Sequence, residues 1–373
     1  MNDLHAIGWY SARIAPHLPK EAFKTAPVRL WGGLAYLVLT VGSIAAIGVF
    51  DLPLLGNLGL AFLVGNGMAG LGFLGHEILH GSIVKTPWLR DFLGGIAFAQ
   101  FLLGPKLWRK WHNMEHHAHT QVADVDPDAW ATMEELYKRP LLRWVYKLPP
   151  WVRSLANFTS FTFFFSVHSQ LMFREFYGQF RRRERMAVVL QLIAPATLWL
   201  ALLIFMGPAK WVFAYVLPLM MANFLVISYI STNHQLNPIT PVNDPLANSL
   251  TVTVPRWVDV LHFNFSYHTE HHLFPGMSPR WGPQIKAEAK RQWPDRYHEM
   301  PMTTAMATLW RTPRIYHEQT ELVDPHRALS FGTLGHGLNP AKVQTRPVTL
   351  AAPPDQADTE SALSLGRLRA QQD

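Results

Sequence analysis

The sequence of 373 residues contains no cysteine and carries few charges. Without cysteine, neither a disulfide framework nor a thiolate metal site can form, so any bound metal must be held by nitrogen or oxygen. Charged residues make up 16% of the chain, whereas 49% are hydrophobic. This composition favours a membrane protein. The net charge of +7 comes from basic residues that flank apolar stretches, which indicates contact with anionic lipid headgroups and not with nucleic acid.

Four uncharged stretches are long enough to cross the hydrocarbon core of a bilayer, which about 20 helical residues span. They form two pairs, each joined by a short turn. The stretches are residues 30–50, 54–75, 186–206 and 211–231. The sequence therefore predicts an all-α integral membrane protein with four transmembrane helices in two hairpins and a histidine-rich cytoplasmic cap.

The distribution of basic residues predicts the orientation of these spans. Lys210 is the only Lys or Arg within the spans and the two hairpin turns, and the basic run at residues 181–185 lies on the other side. The positive-inside rule makes that other side cytoplasmic, in a multi-pass protein of a cell inner membrane. The shorter apolar stretches 92–104 and 155–173 are interpreted as interfacial, because another crossing would divide the histidines between both faces.

Composition also predicts how the chain is divided. Residues 1–29 are interpreted as a cytoplasmic N-terminal segment and residues 30–320 as the membrane domain. Residues 321–373 are expected to form a tail that largely lacks fixed structure, since the end of the chain is rich in Pro and poor in apolar residues.

Three short clusters of histidine are the main candidates for a functional site. Within each cluster the histidines are adjacent or three to five residues apart, and a spacing of three or four places side chains on one face of a helix. A ninth histidine follows the fourth span directly. The clusters are His76 and His80; His112, His116 and His117; and His268, His271 and His272, and the ninth residue is His234.

Nine imidazoles are too many for one tetrahedral zinc, but they suit two transition metals with room for an exogenous ligand. The softness of the donors leaves Zn, Cu, Fe and Ni open. Each cluster also contains a carboxylate beside a histidine, which we expect to accept the distal ring N–H. These carboxylates are Glu77, Glu115 and Glu270.

Other polar residues near the clusters are given supporting roles. His119 is expected to lie outside the set of ligands. The alternating Asp124, Asp126 and Asp128 lack the spacing of a calcium loop, so they are expected to form a turn or to hydrogen-bond cluster histidines.

The order His-x3-His, His-x3-His-His and His-x2-His-His resembles the membrane-bound fatty acid desaturase family. The third motif, YHTEHHLFP at residues 267–275, is especially similar to the last histidine box of that family. The resemblance covers residues 30–320. It implies a di-iron centre that uses O₂ and two electrons to introduce a C=C bond into an acyl chain, with the eight box histidines and His234 as iron ligands.

The resemblance also implies partners. These are a fatty acyl substrate linked to a lipid, to coenzyme A or to a carrier protein, and the surrounding membrane lipids. No haem or flavin domain is recognised, so a separate electron donor such as a ferredoxin is expected.

Two alternatives remain open at this point. A hydroxylase, ketolase or acetylenase acting on an acyl or isoprenoid chain would use the same scaffold. A membrane metal transporter would use the histidines as transit sites, but it predicts charged residues or histidines inside the spans, and the four stretches contain none.

Overall fold

The computed structural model of the protein describes residues 3–350. The fold is mostly helical, with 66% helix, and it includes two small β-sheets that the sequence did not predict. Among the described residues, three helical stretches are long and apolar enough to cross a membrane: Pro27–Val49, Leu54–His80 and Arg182–His234. The prediction of a mostly helical protein is therefore confirmed, and three of its helical stretches are candidates to cross a membrane.

The elements are named in chain order. The helices before residue 180 are α1 (Ile7–Ile14), α2 (Leu30–Val49), α3 (Leu54–His80), α4 (Pro87–Phe98), α5 (Pro105–Trp108), a π-helix (Arg109–His116), α6 (His117–His119), α7 (Met133–Lys138), α8 (Pro140–Lys147), α9 (Pro150–Ser160) and α10 (Phe164–Phe176). Those that follow are α11 (Arg182–Trp211), a second π-helix (Val212–Val216), α12 (Leu217–His234), α13 (Pro245–Asn248), α14 (Arg256–Leu261), α15 (His268–Leu273), α16 (Gly282–Gln292) and α17 (Met302–Arg311). The strands are β1 (Thr251–Thr253), β2 (Glu299–Pro301), β3 (Tyr316–Glu318), β4 (Glu321–Asp324), β5 (Leu329–Gly332) and β6 (Arg346–Pro347).

Helices α2 and α3 form the first hairpin and pack closely along their length. The close approach depends on glycines of α3. A Cβ atom at Gly67 would collide with Thr40, and one at Gly70 would collide with the ring of Tyr36. Small residues at helix interfaces allow this backbone proximity within membranes.

The third apolar stretch, Arg182–His234, contains 53 residues and folds back on itself. The backbone leaves helical geometry at Gly207, where φ is 77° and ψ is 164°. Beyond this break, the Lys210 ammonium donates to the Gly48 carbonyl at 3.3 Å and lies 2.9 Å from an Asp51 carboxylate oxygen. The chain just after the break at Gly207 therefore contacts the end of α2 and the turn between α2 and α3.

The two ambiguous apolar stretches form short helices. Residues 92–104 contribute to α4, and residues 155–173 are divided between α9 and α10. In the described part of the chain, neither stretch is among the helices that could cross a membrane. Both α9 and α10 instead line the cavity described below.

The expectation of a tail without structure from residue 321 was wrong for its first part. Strands β3 to β6 form an antiparallel sheet, so the expected boundary at residue 320 falls between paired strands. Leu322, Val323 and Phe331 are buried against the rest of the protein, and Asp324 pairs with Arg153 of α9. Strands of two to four residues are too short to give a periodic sequence signal. Residues 351–373 lie outside the described range.

Candidate metal centre

The first histidine pair lies at the C-terminal end of α3. His76 and His80 are one helical turn apart, so both imidazoles project from the same face. The helix ends directly afterwards because Gly81 adopts a left-handed conformation with φ of 79°. The two histidines therefore lie at the end of α3, in its last turn and a half.

His112 and His116 lie on the π-helix Arg109–His116, which has more residues per turn than an α-helix, and His117 follows it directly. Five residues therefore separate side chains that share a face, and His112 and His117 point together with their Nε2 atoms 3.1 Å apart. His116 turns towards a different set of histidines. The α-helical spacing of four, which would pair His112 with His116, does not describe this segment fully.

The third cluster forms the short helix α15, and His234 is the last residue of α12. The His268 Nε2 atom lies 2.7 Å from His234 Nε2 and 3.1 Å from His272 Nε2. His271 points the other way, with its Nε2 atom 3.0 Å from His117 Nε2. The third cluster therefore contributes to two adjacent groups.

All nine predicted histidines converge. Among the described residues, three sets of side chains could each hold a metal ion, because the ligand atoms within each set lie within 4.8 Å of one another. One set, His112 with His116 and Asp128, shares a histidine with each of the other two, which consist of histidines alone and are called the first and second group. The first group is His76, His80, His112, His117 and His271, and the second is His116, His234 and His272, with His268 in contact. The rings of His117 and His272, one from each group, are 4.5 Å apart, so the groups are neighbours.

Burial keeps most of these imidazoles neutral. Burial, together with the charges of neighbouring histidines, lowers the pKa values of His117, His268 and His272 well below the ordinary value of 6.5. A neutral imidazole offers a lone pair, which is the form that a metal binds. The facing Nε2 atoms and the buried, unpartnered Nε2 of His80 fit a bound cation well.

His116 differs because two carboxylates face it. Its Nδ1 atom lies 2.9 Å from an Asp126 oxygen and 3.5 Å from an Asp128 oxygen. Burial alone lowers the pKa of His116, but the charges of Asp126 and Asp128 outweigh burial and raise that pKa to about 9. This arrangement fixes the Nδ1 proton towards Asp126 and directs Nε2 at the second group.

The residues that support the histidines are mostly not the expected ones. Asp126 holds His116, as the alternating aspartates suggested, while the Asn248 carbonyl lies 3.1 Å from His234 Nδ1 and the Thr120 hydroxyl 3.3 Å from His272 Nδ1. No sequence pattern predicts these roles of Thr120 and Asn248, because each contacts its histidine only through the tertiary fold.

The three glutamates beside the histidines do not hold the cluster rings, so that prediction was wrong. A neighbouring residue on a helix points about 100° away from the ligand face. Glu77 accepts from Arg29 Nε at 2.9 Å, Glu115 pairs with Lys110, and Glu270 accepts from Thr251 at 2.7 Å and from Tyr297. These carboxylates connect the histidine segments to the surrounding chain.

Three further histidines lie outside the two groups. His119 Nδ1 lies 3.1 Å from the Glu115 carbonyl, consistent with a supporting position. His168 contacts Asp128 at 2.8 Å, and His262 contacts the Tyr229 hydroxyl at 2.9 Å.

A cavity of about 1380 Å³ opens onto the histidines. Five of the nine line it, including His112 and His116. Much of the remaining wall is aromatic and aliphatic, with side chains from α3, α10, α12 and the chain between α4 and the π-helix. These include Phe73, Phe98, Phe101, Trp108, Trp111, Phe164, Phe165, Val226 and Ile227. An apolar chain can therefore lie against the histidine groups.

Comparison with known proteins agrees with this site. The sequence pattern of the family described as "Fatty acid desaturase" matches residues 51–304. The chain is 26% identical to an "sn-1 oleoyl-lipid 12-desaturase" of Synechocystis sp., over 85% of this chain and 90% of that protein. It is 23% identical to an "Omega-6 fatty acid desaturase, chloroplastic" of Spinacia oleracea, over 85% of this chain and 72% of that protein. It is 25% identical to an "sn-1 acyl-lipid omega-3 desaturase (ferredoxin)" of Synechocystis sp., over 70% of this chain and 74% of that protein.

The family match covers more than half of the chain, and its residues include all three histidine clusters. The helical fold, the apolar cavity and the buried imidazoles suit an oxidoreductase whose substrate is an aliphatic chain. The chain therefore belongs to the fatty acid desaturase family, and it is a fatty acyl desaturase.

Proposed function

We propose that the enzyme introduces a C=C bond into the acyl chain of a membrane lipid or of a free fatty acid, at a di-iron centre. The convergence of nine imidazoles into two adjacent groups is the observation that supports this most strongly. His76, His80, His112, His117 and His271 would hold one iron. His116, His234, His268 and His272 would hold the other.

The two irons would supply the oxidising chemistry that an unactivated aliphatic C–H bond requires. The balanced reaction takes one O₂, two electrons and two protons, removes two hydrogens from adjacent carbons and releases two waters. The protein binds the chain in the apolar cavity and orients it against the imidazoles. Burial of the site keeps bulk water away from it.

The electrons come from a separate protein in this proposal. One relative carries "(ferredoxin)" in its name, which supports a donor of that kind. A small acidic carrier would approach the basic side of the membrane domain, where residues 181–185 carry four arginines.

The proposed topology has four crossings, with the part of α11 before Gly207 as the third and the chain from Trp211 through α12 as the fourth. The histidine side faces the cytoplasm, in the inner membrane. Contact between Lys210 and Asp51 supports two hairpins with their tips together on the opposite side.

The test is a lipid profile of a bacterial host with and without the gene, analysed by gas chromatography and mass spectrometry. We expect a new fatty acid two mass units lighter than its precursor, with one added double bond. A product that retains oxygen would favour the hydroxylase or ketolase alternative. An unchanged profile in a host that supplies iron and reduced ferredoxin would contradict the proposal.

A further inference from the structure

Arg314 lies just after α17, where it is buried and lines the same cavity as the histidines. Its side-chain nitrogens Nε, Nη1 and Nη2 have no hydrogen-bond partner among the described residues. A guanidinium carries five N–H donors, and a buried charge without acceptors is costly. Such a group calls for an explanation.

The surroundings of Arg314 are aromatic. Its Cζ atom lies 5.4 Å from the ring centre of Phe161, 5.5 Å from that of Phe158 and 5.9 Å from that of Trp130. Ring faces attract a cation, but they do not replace oxygen acceptors in the plane of the guanidinium. The aromatic residues therefore stabilise the charge without satisfying its donors.

A second buried arginine of the cavity provides a contrast. Arg153 donates from Nη2 to an Asp324 oxygen at 2.9 Å, so a carboxylate balances its charge. No described carboxylate makes an ion pair with Arg314. The two arginines thus differ in pairing, although both lie in the same wall.

Arg314 and the histidines occupy separate parts of the cavity. A series of ring contacts leads from one to the other, each between 5.0 and 6.0 Å. The series runs from Arg314 through Trp130, Phe164 and His168 to Trp111, which directly precedes His112. An elongated molecule can therefore place one end near Arg314 and a more distant segment near the histidines.

We propose that Arg314 binds an anionic oxygen group at the head of the acyl substrate, either the phosphate of a phospholipid or the carboxylate of a free fatty acid. Both present paired oxygens that match the guanidinium fork. The aromatic wall then holds the apolar chain between this anchor and the histidines. A fixed anchor sets which carbon atoms reach the centre. Arg314 lies outside the residues matched to the family, 51–304, and this inference rests on the proposed function of the cavity.

The experiment uses the full-length enzyme, purified in detergent and supplied with O₂ and reduced ferredoxin, with three substrates: dioleoylphosphatidylglycerol, oleate and dioleoylglycerol. We expect wild type to have a KM at least about tenfold lower for one of the two anionic substrates than for dioleoylglycerol, as expected for a charge-assisted hydrogen bond. The substrate that shows this preference identifies phosphate or carboxylate as the ligand. Arg314→Gln should raise the KM of that substrate about tenfold and leave that of dioleoylglycerol unchanged.

Lys147→Gln is the matched control. Lys147 is exposed on α8 and does not line the cavity, so loss of its charge should not change any of the three KM values. A second readout does not require turnover. Native mass spectrometry should find anionic lipid bound to wild type and to Lys147→Gln, and much less of it bound to Arg314→Gln.

The outcomes separate the two proposals. If wild type binds anionic lipid through Arg314 but forms no double bond, the desaturase chemistry fails and the anion site stands. Equal KM values of wild type for all three substrates would overturn the anion site, whether or not Arg314→Gln folds. The anion site would also be overturned if Arg314→Gln kept the wild-type preference for the anionic substrate over dioleoylglycerol and bound as much anionic lipid as wild type.

Discussion

His116 and Asp126 form a buried pair in which the imidazole Nδ1 lies 2.9 Å from the carboxylate. Asp126 is 7% exposed, and its second oxygen accepts from the Gln121 backbone N–H at 2.8 Å, so the loop is rigidly attached to the second histidine cluster. A carboxylate in this position orients a ligand imidazole and increases its basicity. The two residues are ten positions apart, and the sequence predicted only that one of the alternating aspartates could hydrogen-bond a cluster histidine, without naming either partner.

Asp126→Asn should weaken metal binding at the group that contains His116. An amide holds the ring less strongly than a carboxylate, and loss of such a partner lowers metal affinity by about 10- to 100-fold. Iron retained after dialysis against a graded series of chelator concentrations measures the effect. Asp124→Asn is the control, because Asp124 is exposed and Asn tolerates its φ of 62°. Equal iron retention in both variants would contradict this role of Asp126.

His116→Ala and His271→Ala should each abolish product, because each removes a ligand from a different group. Both proteins should still insert into the membrane, since neither residue lies in a candidate span. The matched control is His119→Ala, which removes a nearby imidazole that belongs to neither group. Double bonds formed per unit of membrane-inserted protein give the readout, and full activity in either ligand variant would refute the assignment.

Glu77→Gln should destabilise the protein. Glu77 is 2% exposed and pairs with Arg29, which also donates to the Phe263 carbonyl in the loop before the third cluster. Breaking a buried ion pair from one side costs about 3–5 kcal/mol, because an unpaired charge remains. The melting temperature in detergent should fall by several degrees. Glu134→Gln, which breaks the exposed pair with Lys138, should leave it nearly unchanged.

The metal-free enzyme should lose stability as pH falls below about 6.5. In the folded protein the pKa values of His117, His268 and His272 are lowered, so these groups stay neutral, whereas the unfolded chain takes up protons below its ordinary pKa of 6.5. Stability falls with pH wherever the unfolded state binds more protons. Thermal unfolding of apo-protein between pH 7.5 and 5.5 measures this, and a constant melting temperature would contradict the buried, neutral state of these rings.

The sequence predicted the helical membrane fold and all nine residues that converge, because repeated histidines beside uncharged stretches leave a strong local signal. It did not predict how the nine divide. The division depends on the π-helix Arg109–His116, which brings His112 next to His117. No residue pattern in this segment predicts π-helical geometry.

Contacts between distant segments of the chain could not be predicted from the sequence either. Glu77, Glu115 and Glu270 were expected to face the histidines, but the helices carry them to other partners. Arg314 reads as an ordinary basic residue after a helix, and its burial among aromatic rings depends on the packing of α9 and α17. The short strands β4 and β5 gave too few residues for a pattern.

Metal analysis of the full-length enzyme, purified from a host supplied with iron, tests the central claim most directly. Nine imidazoles in two groups predict two irons per chain, falling to one or none in His271→Ala while His119→Ala keeps both. A single zinc per chain, or two irons that persist unchanged in His271→Ala, would contradict it.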